Sequence, residues 1–164
     1  MRINLLKGIH IQTVPLDPTC TKGAKAKCKI LTDNKTNKIY VDGVLVFESD
    51  GRKPEDRNLE RISFEIDDCA SSLTIYALNW EAGCSKGGVR LDCTNGNSAR
   101  WRKVNGGDDH SNWRVHFGYI EGAQAASSTY HLDWPSASRS TGGYARPSMC
   151  GPGNKWTFRR DMHG

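Results

Sequence analysis

No stretch of this chain is apolar for the roughly twenty residues that a bilayer-crossing helix needs, so a membrane-spanning helix is excluded. No segment of ten or more residues combines helical apolar spacing with capping signals, which removes the helical fold classes. The six cysteines include no Cys-x-x-Cys pair and no His at zinc-ligand spacing, and His110, His116 and His131 fall in no His-Glu-x-x-His pattern. Catalytic groupings are scarce too. The acidic clusters Asp67-Asp68 and Asp108-Asp109-His110 both lie in turn-forming sequence, where Asp commonly caps the backbone, and neither sets a nucleophile beside a base. The reading is therefore a non-enzymatic protein.

What is present supports a folded domain. Apolar residues make up only 37% of the chain and its mean hydropathy is −0.63, but 5 Trp, 5 Tyr and 4 Phe are spread along it. A domain of 164 residues buries about 70% of the surface its unfolded chain exposes, enough for a core. Cysteines without metal spacing point to a disulfide framework, hence to an oxidising compartment and an extracellular, secreted protein. No signal-peptide core surrounds Leu5 and Leu6, so the expectation is a mature form or a domain of a longer precursor. The sequon Asn34-Lys35-Thr36 is a candidate glycosylation site.

The net charge of +5 is unevenly placed. Residues 1–82 carry 12 Lys and Arg against 12 Asp and Glu, whereas residues 83–164 carry 11 against 6. Such an excess suits an anionic partner, a sulfated glycan or an acidic matrix protein, although it also fits a plain basic surface.

The organising stretch is residues 76–93. Alternating Leu73, Ile75 and Ala77 lead into a Gly- and Cys-bearing turn, after which Val89 and Leu91 alternate with Arg90 and Asp92. This reads as two strands joined at one end of a sheet, with Gly83, Gly87 and Gly88 freeing the turn. A Cys84–Cys93 bond would close it, leaving Cys20, Cys28, Cys69 and Cys150 to tie the N-terminal segment and the C-terminal loops to the body. Fifteen pairings of six cysteines are possible, and spacing alone does not choose among them.

Around this stretch, residues 9–14 alternate before Pro15 and Pro18, making 1–19 a leader or edge strand ahead of a single domain over 20–164. The segment from Cys20 to Cys28 is too polar to hold itself in place. Asp42-Gly43 between two β-branched runs is a strong hairpin signal, and Ile62, Phe64 and Ile66 share one strand face. Residues 105–155 read as long connections anchored by Trp113 and Trp134. The predicted fold is all-β, a two-sheet antiparallel sandwich.

The ordered set Tyr40-Val-Asp-Gly43, Ala77-Leu-Asn79, Trp101, Asn112-Trp113, Trp134-Pro-Ser-Ala137 and Lys155-Trp156 resembles the galactose-binding-like jelly roll of secreted proteins and glycosidase accessory modules, over roughly residues 25–158. The resemblance implies a binding module that uses end loops. It also implies a structural calcium, for which Asp67-Asp68 and Asp108-Asp109 are the oxygen-rich turns. Such domains close with one more strand after the Lys-Trp segment, so either residues 9–14 take that place or the domain continues beyond this chain.

Glycan binding needs an aromatic face flanked by polar groups. The candidates are Trp80 and Glu81 at a strand end, and Asp108, Asp109, His110, Trp113 and Arg114 in the most polar loop. The competing role for both tryptophans is a core anchor. The partners expected are a glycan or a matrix component, with self-association through sheet edges as the structural alternative and a glycosidase accessory domain as a third. The disulfide framework argues against nucleic acid, despite Trp101-Arg-Lys and Trp156-Thr-Phe-Arg-Arg160.

Overall fold

The structure is a computed structural model that describes residues 20–33, 35–50, 60–79, 87–106, 109–121, 133–139, 142–147 and 154–161. The expectations for residues 1–19, Asn34, Trp80, Glu81, Cys84, Asp108 and Cys150 lie outside the described residues.

Alternation builds the first sheet. In β1 (Lys25–Asp33), Ala26, Cys28, Ile30 and Thr32 are buried while Lys25, Lys27 and Lys29 face out. The segment that looks too polar to order itself is thus the start of a strand, whose lysines occupy the solvent face. β4 (Glu60–Asp67) pairs antiparallel with β1 and turns Ile62, Phe64 and Ile66 inward. On the other side of β1, β6 (Gly88–Gly96) contributes Val89, Leu91 and Cys93.

The second sheet starts with the hairpin of β2 (Lys35–Val41) and β3 (Val44–Glu48). Asp42 and Gly43 have φ of 49° and 78°, the left-handed pair that a two-residue type I′ turn demands, so Asp-Gly is there for a backbone reason. Asp42 Oδ1 also accepts the backbone N–H groups of Ser71 and Ser72, each at 2.9 Å, which fixes the turn to the start of β5 (Ser72–Leu78).

β7 (Trp113–Phe117), the two-residue strands β8 (Ser138–Arg139) and β9 (Ala145–Arg146), and β10 (Lys155–Asp161) complete two antiparallel five-stranded sheets, ordered β4-β1-β6-β9-β8 and β3-β2-β5-β10-β7. Among the described residues, helix is confined to two three-residue 3-10 turns, η1 (Trp101–Lys103) and η2 (His110–Asn112). The protein is an all-β, two-sheet antiparallel sandwich stabilised by disulfides, an arrangement compatible with a jelly roll. The core lies between the sheets. Ile30, Ile66, Val89 and Leu91 from one face Ile39, Leu73, Ile75, Trp156 and Phe158 from the other, each removed from water at about 1.5–3 kcal/mol per large side chain.

Two expectations are corrected here. β5 and β6 are not neighbours in one sheet, because β5 lies between β2 and β10 while β6 pairs with β1 and β9, so the connection between them crosses from sheet to sheet. Cys93 bonds Cys28, not Cys84. The reason is geometric: β1 and β6 are adjacent, both cysteines are buried, and an irregularity between Lys27 and Lys29 brings the two Cα atoms to 4.1 Å. Cys20 bonds Cys69 in the β4–β5 turn, which pins the start of the described chain to the body.

β5 is buried on both faces. Its outer side is covered by the chain leaving β7, where Tyr119 stacks on Tyr76 with centroids 4.6 Å apart and Thr157 Oγ1 donates to Gly118 O. The stretch 105–155 therefore contains strands and a sheet cover as well as loops.

A cationic cleft at the end of the sandwich

Asp109 precedes η2 and is buried. Its carboxylate accepts from Trp113 Nε1 at 2.9 Å, Asn112 Nδ2 at 3.1 Å and Arg160 Nε at 2.7 and 2.8 Å to its two oxygens. Arg160 Nη2 lies 2.7 Å from Asp109 Oδ1, and the guanidinium sits over the Trp101 ring, 5.3 Å from its centroid. The alternation of β10 explains how an arginine gets inside. Trp156, Phe158 and Arg160 point to the same inner face, so the last of them needs a buried counter-charge. That inward arginine is the signal in the sequence from which the pair was to be inferred.

The buried pair forms the floor of a cleft of about 310 Å³ between η1 and η2, lined also by Arg100, Lys103, Asn105 and Asn112. Three cationic side chains, Arg100, Lys103 and Arg160, line the cleft with one carboxylate, Asp109, and the Asp68 carboxylate lies within electrostatic reach of Arg100. A larger hollow of about 400 Å³ lies on the outer face of the first sheet. There Lys27 and Lys29 are balanced by Glu65 and Asp92, and Asp92 is already engaged by Arg90 and by the Gly106 N–H. The end cleft carries the charge excess and is the candidate site.

The sequence candidates divide. Asp109 and Trp113 meet, and His110 opens η2 beside them. Trp113 is only 1% exposed, with its ring edge-on to Phe158 at 6.3 Å, which is the core-anchor role and not a stacking platform. Arg114 projects to the opposite face of β7, where it donates to Ser136 Oγ at 2.7 Å and to Trp134 O at 3.3 Å. Arg100, Lys103, Asn105 and Arg160 were not among the sequence candidates: the first three are close neighbours in the chain, but only the fold sets them against Arg160, 51 positions beyond Asp109.

Asp67 and Asp68 lie in the β4–β5 turn, which reaches the cleft through Arg100. Asp68 Oδ1 accepts from Ser98 Oγ at 2.5 Å and the Arg100 N–H at 3.0 Å, Oδ2 accepts the Thr21 N–H at 2.6 Å, and Asp67 Oδ1 accepts the Cys69 N–H at 2.9 Å. Burial pushes the Asp68 carboxyl up, but the bonds from Ser98, Thr21 and Arg100 outweigh it and hold the group below the usual carboxylate range. Asp68 Oδ1 takes two of these donors and Oδ2 one, so a calcium ion at Asp68 would share its oxygens with hydrogen bonds that hold the fold. Among the described residues no group of three or more His, Cys, Asp or Glu is placed to hold a metal.

No family model, curated protein or solved structure matches the chain.

Proposed function

We propose that this protein is a secreted, non-enzymatic binding module of galactose-binding-like character that takes an anionic extracellular glycan into the end cleft. The observation that carries the reading is the cationic excess of Arg100, Lys103 and Arg160 over the carboxylates of Asp109 and Asp68 that act on them. Both nearby indoles, Trp101 and Trp113, are buried, so recognition there rests on charge and on the amides of Asn105 and Asn112 rather than on ring stacking. A carboxylated or sulfated sugar supplies the matching anionic oxygens, with the Lys103 ammonium as the point charge that meets them. The disulfides support the extracellular setting.

The test is a titration with a sulfated glycosaminoglycan oligosaccharide beside a neutral oligosaccharide of equal length. Binding of the sulfated chain, weakened at least about tenfold in Lys103→Glu and reduced by added salt, is the expected result. Failure to bind any sulfated or carboxylated glycan, or binding indifferent to Lys103→Glu, overturns the proposal.

A further inference from the structure

The two sheets have four outer edges, and three of them are guarded. β7 is covered by the chain around Ser136, with the Val115 N–H donating to Pro135 O and the Ala137 N–H donating to Trp113 O. β8 is only two residues long. β4 carries Glu60, Arg61, Glu65 and Asp67 along its length. These are the ways proteins stop a sheet edge from recruiting another strand.

β3 is different. It is the free end of its sheet, and among the described residues nothing pairs with its outer side. From Val44 to Phe47 it has no charge and no proline, and Val44, Leu45 and Val46 are 66%, 43% and 47% exposed. They are the large apolar side chains that stand out in solvent among the described residues. Three in a row are exposed because of a bulge: Leu45 pairs with Tyr40 and Phe47 with Ile39, which leaves Val46 with no partner in β2. The bulge bends the edge but adds no charge to repel a strand. On the outer face the apolar strip continues to Tyr40, opposite Leu45, and ends against Tyr76, which Tyr119 covers.

We infer that β3 is the interface of a homodimer, in which two copies pair their β3 strands antiparallel about a two-fold axis and join their second sheets into one. The partner is a second copy because this strand is complementary to itself. With the axis between Leu45 and Val46, Leu45 faces the partner's Val46 and Val44 faces the partner's Phe47, so all four apolar residues oppose apolar residues. The one charged residue of the strand, Glu48, meets the partner's Gly43, and its carboxylate is already 3.5 Å from Lys38 of its own chain. No like charges oppose one another, and a two-fold axis closes the assembly at two copies. This interface is separate from the end cleft and does not depend on the glycan reading.

Sedimentation velocity of the full chain over a wide concentration range tests it, with Leu45→Lys and Val46→Glu as variants. Both side chains are exposed, and circular dichroism with a melting curve verifies that each variant folds as the parent does. The expected result is a concentration-dependent dimer of the parent and association at least about tenfold weaker in either variant. Mixing the two variants should recover association, since the ammonium introduced in one then faces the carboxylate introduced in the other across the strand pair. Hydrogen exchange of the β3 amides should slow as the parent dimerises. A parent that stays monomeric at the highest concentration, variants that associate like the parent, open-ended polymers, or a mixture that fails to recover association each overturns it.

Discussion

Asp68 shows what one carboxylate decides. Its oxygens tie together Thr21, Ser98 and Arg100, which are 47, 30 and 32 positions away in the chain, so it links the segment behind Cys20 to the turn that enters η1. Because its folded pKa lies below the ordinary value of 3.8, the unfolded chain takes up the proton first. Its stabilisation is complete above about 3.8 and is lost as the pH falls through the lower folded value. Asp68→Ala should cost about 2–4 kcal/mol at neutral pH, and the gap to the parent should shrink as both are acidified. Melting curves across the acid range check this; a gap independent of pH would remove the ionised carboxylate from the account. That residues 67 and 68 are acidic and in a turn is legible in the sequence. That their oxygens serve hydrogen donors from three remote segments is not.

Gly87 and Gly88 look like turn residues when read beside Gly83, yet in the fold they serve the packing of an element. A Cβ on Gly87 would lie 2.7 Å from Cζ3 of Trp156, which is fully packed in the core, and one on Gly88 would lie 2.9 Å from Ala145 O. β6 therefore enters its sheet beside β9 and beneath Trp156 without displacing its neighbours because Gly87, just ahead of it, and Gly88, its first residue, have no side chain. Gly87→Ala should destabilise the protein by about 1–3 kcal/mol and perturb the Trp156 environment, read by chemical denaturation followed through tryptophan fluorescence. Unchanged stability would mean that Trp156 moves aside at no cost. The hairpin at Asp42-Gly43 contrasts with this, since its φ requirement is local and is visible from two residues.

Across the whole molecule, the disulfides decide which distant pieces stay together. Cys28–Cys93 spans 65 positions and Cys20–Cys69 spans 49, so each closes a long loop of the unfolded chain. Cys28→Ala with Cys93→Ala should cost about 2–5 kcal/mol and lower Tm by about 5–15 °C. Peptide mapping without reduction should recover Cys28 joined to Cys93. Recovery of Cys84 joined to Cys93 would refute the pairing.

Strand identity was readable along the chain because a period of two marks the core-facing side: Ile62, Phe64 and Ile66 in β4, whose alternates face water, and Leu73, Ile75 and Ala77 in β5, whose alternates are covered by the chain leaving β7. Even β1 is written that way, with lysine marking the outer positions. The all-β class and the hairpin follow from these local patterns. Partnership does not, because alternation says which face is buried and not which strand lies alongside. Only the tertiary structure placed β5 and β6 in different sheets, joined Cys28 to Cys93 and carried Arg160 inward to Asp109. The end cleft belongs to the same class of fact. Arg100, Lys103 and Asp109 sit close together in the chain around η1 and η2, but Arg160 of β10 lies 51 positions beyond Asp109 and meets them only through the packing of the two sheets.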